Sequence, residues 1–109
     1  MQLETAERIV SSKVTEEELA SAFRDDLGRG EFIILSQSDQ VYIQASGESG
    51  GPYMMEYREG DADHHFQCIQ DVSKENVQSV FMKYLKGDDS WKTDVEWKRL
   101  ESKPWWKFW

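Results

Sequence analysis

Apolar residues recur at helical spacing in two segments of the chain. In the first, Thr15 and Glu18 match a capping box, and Gly28 is predicted to end the helix. The apolar stripe of this helix consists of Leu19, Ala22, Phe23 and Leu27. The second segment is predicted to begin at Ser73 and to end at Gly87. Its apolar face consists of Val77, Val80, Phe81, Tyr84 and Leu85.

Between these helices, four short runs have the pattern of β-strands. They cover residues 31–36, 40–46, 52–58 and 64–70. The first run is apolar on both faces, which predicts a strand in the middle of a sheet, and the second and third alternate apolar with polar residues. Because polar or glycine-rich turns connect neighbouring runs, the pattern predicts an antiparallel meander.

The two ends of the chain are less clearly patterned. Residues 1–12 fit either a strand or a helical turn, whereas the alternation over residues 91–97 predicts a last strand. The sequence therefore predicts an α+β fold with an antiparallel meander sheet of four to five strands and two helices packed on one face. We expect a single domain over residues 1–109, with a Trp-rich C-terminal tail at about 103–109.

The charge and cysteine content narrow the classes of function. A formal net charge of −8 argues against a nucleic-acid-binding surface and against binding to anionic membranes. It fits ordinary solubility or attraction to a basic partner. The lone Cys68 favours a reducing compartment, and neither a signal peptide nor a membrane-spanning stretch is visible. We therefore expect a cytoplasmic protein.

The segment "DADHHFQC" contains residue types that bind metals or carry catalysis. On a strand, His64 and His65 point to opposite faces, and His64 lies about 13 Å from Cys68 at roughly 3.3 Å per residue. These positions predict a buried, inert thiol and no metal, cofactor or catalytic site. A small enzyme or metal-binding protein that uses His64, His65 or Cys68 stays open as the alternative. Glu56 and Arg58 share a face of the third run and predict a surface ion pair.

Several short motifs resemble a known family. They are "YIQA" at residues 42–45, a glycine-rich tip, "EYREG" at 56–60, and a helix-to-tryptophan pattern formed by Phe81, Tyr84, Leu85, Gly87, Trp91 and Trp97. Over about residues 30–97 the chain resembles the small immunity proteins that accompany bacterial polymorphic toxins. The resemblance implies an α+β, cytosolic, non-enzymatic protein that binds a cognate toxin, often one acting on nucleic acid.

Acidic turns offer a surface for such a partner. A toxin that acts on nucleic acid has a basic groove, which carboxylates on an inhibitor can block. The candidate partner-binding residues are Glu59, Asp61, Asp63, Asp88 and Asp89, with Trp106 and Phe108 as aromatic contacts. Polar turns look the same in proteins that bind nothing, and a homodimeric domain without an inhibitor role also stays open.

The chain ends on "SKPWWKFW". If this tail is extended, Trp106 and Phe108 lie on one face, and Trp105, Lys107 and Trp109 lie on the other. Closure of the core, a protein contact and a membrane contact are the three interpretations, and the net charge of the chain opposes the last.

Overall fold

A computed structural model gives the fold of the chain. The structure describes residues 1–5, 9–25, 32–47, 52–61, 64–68 and 70–99. The strands among them are β1 (Gln2–Thr5), β2 (Ile9–Ser11), β3 (Phe32–Ser38), β4 (Val41–Gly47), β5 (Tyr53–Glu59), β6 (His65–Cys68) and β7 (Trp97–Arg99). The helices are α1 (Glu16–Asp25), α2 (Lys74–Lys86) and α3 (Trp91–Asp94).

The strands form one antiparallel sheet in the order β2-β1-β3-β4-β5-β6-β7. The predicted α+β class and the meander from β3 to β6 agree with this sheet. The predicted number of elements is too low, because the described residues form seven strands and three helices instead of four to five strands and two helices. The ambiguous segment 1–12 supplies two of the additional strands, and β1 pairs with β3.

Alternation along each strand divides the sheet into a core face and an open face. Leu3, Ile33, Leu35, Ile43 and Met55 are fully buried on the core face. The alternate residues of the same strands lie on the opposite face, which none of the three described helices covers. We call this second surface the open face. On strands β1, β3, β4, β5 and β6, the residues of the open face include Gln2, Glu4, Ile34, Ser36, Tyr42, Gln44, Glu56, Arg58 and His65.

Helices α1 and α2 close the core through the apolar faces that their sequences predict. Leu19 and Phe23 of α1 are fully buried, as are Val77 and Phe81 of α2. The rings of Phe23 and Phe81 meet edge to face, with centroids 5.2 Å apart. Such a pair adds about 0.5–1.5 kcal/mol to the free energy of burial and fixes one helix against the other.

The predicted helix boundaries are confirmed wherever they fall on described residues. The Thr15 hydroxyl accepts a hydrogen bond from the Glu18 amide, and the Glu18 carboxylate accepts one from the Thr15 amide. Ser73 caps α2 by accepting from the Asn76 amide. Gly87 ends α2 in the left-handed conformation, with φ +74°. The predicted end of α1 at Gly28 lies outside the described residues.

The segment predicted as a last strand is instead divided into α3 and β7. In a continuous strand Trp91 and Trp97 would lie about 20 Å apart at roughly 3.3 Å per residue. Their ring centroids are 5.7 Å apart, because a helical turn folds Trp91 back onto the sheet. Backbone hydrogen bonds from Lys92 to the Asp89 carbonyl and from Thr93 to the Ser90 carbonyl form that turn. The prediction of one strand over residues 91–97 was therefore wrong.

None of the helices in the described part of the chain has the length and apolar character needed to cross a lipid bilayer.

Candidate protein-binding surface

Three turns meet at one end of the sheet and bring carboxylates together. The Gly60 amide donates to the Gln40 carbonyl over 2.7 Å, which joins the β5–β6 turn to the β3–β4 turn. The ammonium group of Lys92 in α3 forms an ion pair with Glu59, which joins the α2–α3 turn to the end of β5. The described acidic residues of these turns and of the adjoining end of β5 are Asp39, Glu59, Asp61, Asp88 and Asp89. We call this group the acidic end.

Four of the predicted partner-binding residues belong to the acidic end, and each is exposed to solvent. Glu59 is held by Lys92, and Asp61 lies 2.8 Å from Nδ1 of His64. The Asp89 side chain forms no hydrogen bond or ion pair with another described residue, and its backbone carbonyl accepts from the Lys92 amide of α3. The remaining predicted residues, Asp63, Trp106 and Phe108, lie outside the residues that the structure describes.

Asp88 is held as an anion by local hydrogen bonds. The Ser90 amide donates to its carboxylate over 3.0 Å. That bond, the Ser90 hydroxyl and the charges of Lys83 and Lys86 hold the pKa of Asp88 below its ordinary value of 3.8. Asp88 therefore presents a fixed negative charge in the neutral pH range.

The start of α1 extends the negative charge. Glu16 forms an ion pair with Lys86 at the end of α2, with 3.0 Å between the ammonium nitrogen and the carboxylate oxygen. Glu17 follows Glu16 and is exposed. Glu16, which favours the start of α1, therefore also lies beside the end of α2.

A cluster of aromatic rings supports the acidic end from the core. Trp91 packs edge to face on Tyr57, with centroids 4.8 Å apart, and also meets Tyr84 and Trp97. Phe66 stacks on Tyr57 at 4.7 Å. Since Trp91 is nearly fully buried and adjoins Lys92, the cluster fixes the α2–α3 turn relative to β5. The sequence identifies Trp91 and Trp97 as apolar positions, but their contact depends on the turn at α3.

Two tyrosines of this cluster have raised pKa values. Burial, and then the negative charge of Glu59, raise the pKa of Tyr57 from 10.0 to about 12. Burial is also the main reason that the pKa of Tyr84 is raised to about 12, and the negative charge of Glu59 raises it further. The nearby Gln37 amide opposes the rise for Tyr84. The Gln37 amide does not reach hydrogen-bonding geometry with Tyr84, so the buried Tyr84 hydroxyl has no hydrogen-bond partner among the described residues. Both hydroxyls therefore stay protonated at neutral pH.

The candidate catalytic and metal-binding residues are separated by the fold. His64 lies in the β5–β6 turn and is exposed, whereas His65 lies on the open face and Cys68 faces the core. The Cys68 thiol donates to the Gln70 carbonyl over 3.4 Å and is buried, as predicted. Within the described ranges, no three His, Cys, Asp or Glu side chains are grouped so that they could hold a metal ion. His64, His65 and Cys68 thus share no pocket.

His65 joins Glu56 and Arg58, which the sequence predicts to pair directly. Its Nε2 lies 3.2 Å from the Glu56 carboxylate, and its Nδ1 lies 3.4 Å from the Arg58 guanidinium. Because a guanidinium only donates, Nδ1 accepts and Nε2 carries the proton that it donates to Glu56. Both ring nitrogens of His65 therefore have a partner on the open face.

This network continues to the turn and to Tyr42. The Arg58 guanidinium donates to the Gln40 side chain over 2.7 Å and lies over the Tyr42 ring, 5.9 Å from its centroid. The rings of Tyr42 and His65 are 6.4 Å apart. The open face beside the acidic end thus carries a connected set of aromatic and polar side chains. Sequence analysis places Tyr42, Glu56 and Arg58 on strands but gives no indication that His65 connects them.

No family model, curated protein or solved structure matches this chain. The assignment of the candidate binding surface therefore rests on the geometry and charge of the residues in this chain. Those properties are a group of exposed carboxylates, a rigid aromatic support and an adjoining open sheet face.

Proposed function

We propose that this protein is a non-catalytic binding module that uses its acidic end to engage a basic protein partner. In line with the resemblance to immunity proteins, the partner is a toxin domain whose basic active-site groove the protein blocks. The observation that carries the proposal is the convergence of three acidic turns, joined by the Gly60–Gln40 hydrogen bond and the Lys92–Glu59 ion pair.

The charge of the acidic end suits an inhibitor that must find its partner quickly. Complementary charges raise association rates from about 10⁵–10⁶ to as much as about 10⁸–10⁹ M⁻¹s⁻¹ at low salt. The local cations Lys86 and Lys92 are each engaged by a glutamate, whereas Asp88 and Asp89 project from a tight turn. Since these side chains are exposed, salt weakens their attraction beyond roughly 8 Å at physiological ionic strength.

Rigidity of the acidic end supports the same function. Side chains and turns that are ordered before binding lose less conformational entropy in the complex. The α2–α3 turn is fixed from below by Trp91 and Tyr57, and from the side by the Lys92–Glu59 ion pair. The backbone of this turn and the Asp88 carboxylate, which accepts from the Ser90 amide, are therefore held in position before a partner arrives.

An enzyme that uses His64, His65 or Cys68 receives no support from the geometry. His64 contacts Asp61 in a turn, His65 has both nitrogens occupied, and the Cys68 thiol is buried. A nucleophile and its base need to lie within about 3 Å of each other, and these three side chains lie on different parts of the fold.

The experiment is a comparison of two isosteric triple variants. Asp61→Asn/Asp88→Asn/Asp89→Asn removes three exposed charges from the acidic end, and asparagine retains the side-chain oxygens that accept from His64 and Ser90. Asp71→Asn/Glu75→Gln/Glu96→Gln removes three exposed charges from the opposite end of the sheet. The proposal predicts that a reading frame beside the gene for this chain encodes a basic toxin domain, and binding of that domain is measured by calorimetry at two salt concentrations.

We expect wild type and the opposite-end variant to bind alike. The acidic-end variant should bind at least tenfold more weakly, since each close charge pair at an interface contributes roughly 1.5 kcal/mol or more. Equal affinity for all three proteins would contradict the proposed surface. Absence of binding by wild type would contradict the proposed function.

A further inference from the structure

A hollow on the open face adjoins the acidic end and shares Asp39 with it. It has a volume of about 400 Å³ and is open to solvent. Its floor lies over β3, and its walls come from β1, β4 and the β3–β4 turn. The lining residues are Gln2, Glu4, Ile34, Ser36, Ser38, Asp39, Tyr42 and Gln44.

The sequence of β3 explains why a hollow forms there. The strand changes from the apolar run Phe32–Leu35 to the small polar residues Ser36 and Ser38, while its neighbours carry longer side chains. Ser36 lies opposite Gln2 on β1 and Tyr42 on β4, so a short side chain is flanked by two long ones. The pairing of β3 with β4 also shifts between Ser36 and Ser38, as at a β-bulge.

The charge of the hollow is negative. Glu4 and Asp39 are its only charged lining residues in the described part of the chain, and neither forms an ion pair with another described residue. Tyr42 adds an aromatic ring to the lining. Carboxylates together with an aromatic ring are the groups that bind a guanidinium or ammonium ion.

Tyr42 is fixed before any ligand binds. Arg58 lies over its ring and His65 meets it edge to face. Arg58 is directed to the Gln40 side chain and does not line the hollow. Its charge repels a cation across the ring, but two carboxylates face the hollow directly.

The hollow is continuous with the acidic end. Asp39 belongs to both, and the neighbouring Gln40 carbonyl accepts the Gly60 amide of the β5–β6 turn. We propose that this hollow receives an arginine or lysine side chain of the basic partner, so that the partner covers the acidic end and part of the open face together. The inference rests on the proposed function for the identity of the partner, but the chemistry of the hollow can be tested separately.

The test is an NMR titration of the full chain with acetylated tetra-arginine amide. The matched peptide in which citrulline replaces arginine keeps the side-chain shape and removes the charge. We expect the arginine peptide to shift the amide signals of Ser36, Tyr42 and Gln44, and the citrulline peptide to leave them unchanged. The variant Glu4→Gln/Asp39→Asn should weaken binding about fivefold, since exposed ion pairs contribute on the order of 0.5 kcal/mol each. The control Asp71→Asn/Glu75→Gln should bind like wild type.

Four results would overturn the proposal. The first is a set of shifts confined to Asp61, Asp88 and Asp89, which would leave the acidic end as the whole surface. The second is an equal response to both peptides, and the third is no response to either. The fourth is binding that appears only after Lys103→Gln/Lys107→Gln, because the chain's own tail would then fill the hollow. Failure of the toxin domain to bind in the calorimetric experiment would count against the proposed function alone.

Discussion

Replacement of Trp91 tests whether the acidic end is fixed to the core. Trp91 is 3% exposed and touches Tyr57, Tyr84 and Trp97. Trp91→Ala removes most of a ring that buries about 150–250 Å². At roughly 25 cal/mol per Å² this area corresponds to about 4–6 kcal/mol. Residual burial in the unfolded chain lowers the figure by roughly 10–40%. We therefore expect Trp91→Ala to lower the free energy of unfolding by about 4 kcal/mol, within the range of about 3–5 kcal/mol for such changes.

The assay is urea unfolding followed by far-ultraviolet circular dichroism, which does not depend on the fluorescence of the removed ring. Trp91→Phe keeps an aromatic edge against Tyr57 and should cost about 1–2 kcal/mol. Ser79→Ala, at an exposed position of α2, should stay within about 0.5 kcal/mol of wild type. A loss below about 1 kcal/mol for Trp91→Ala would refute the argument, because the ring would then contribute little to the core.

Three further predictions follow from the helix caps and the tyrosines. Ser73→Ala removes the acceptor for the Asn76 amide and should lower stability by about 1 kcal/mol in urea unfolding, whereas no change would contradict the capping role. A Cβ atom added at Gly87 meets no atom within 4 Å, so Gly87→Ala should lower the free energy of unfolding only by the cost of the left-handed backbone, about 1–2 kcal/mol in the same assay. A stabilised variant would contradict that conformation. The pKa values of Tyr57 and Tyr84 are raised from 10.0 to about 12, so the stability they contribute is complete below pH 10 and is lost as the pH rises toward about 12. Phenolate absorbance should therefore show the Tyr57 and Tyr84 hydroxyls ionising above pH 10, toward about 12, while the chain stays folded, and complete phenolate formation near pH 10 in the folded chain would contradict their burial.

Local signals in the sequence predict much of the fold because the interactions behind them are local. The capping box of Thr15 and Glu18, the Ser73 cap and the Gly87 stop each depend on residues within one or two turns. Strand alternation places Ile43 and Ala45 on the core face and Tyr42 and Gln44 on the other face.

The features that the sequence does not predict depend on contacts between distant residues. Segment 1–12 forms strands because Leu3 pairs opposite Leu35 on β3, and its own pattern does not distinguish a strand from a helical turn. The fold of residues 91–97 depends on the contact of Trp91 with Tyr57, far away in the sequence. The sequence shows four carboxylates of the acidic end in or beside polar turns, but it does not show that these turns lie together. Asp39 was not among the candidates, and the Gly60–Gln40 hydrogen bond is what brings its turn beside Glu59 and Asp61.

The most direct test of the proposed function begins with the reading frames that flank the gene for this chain. The proposal predicts that one of them encodes a basic toxin domain, and the test is inhibition of that domain. Its catalytic activity is measured while the purified protein is added up to and beyond one equivalent. We predict that activity falls to the background level near one equivalent. The Asp61→Asn/Asp88→Asn/Asp89→Asn variant should fail to inhibit at the same concentrations, and the Asp71→Asn/Glu75→Gln/Glu96→Gln variant should inhibit like wild type. Full toxin activity in excess wild-type protein, or equal inhibition by both variants, would contradict the account.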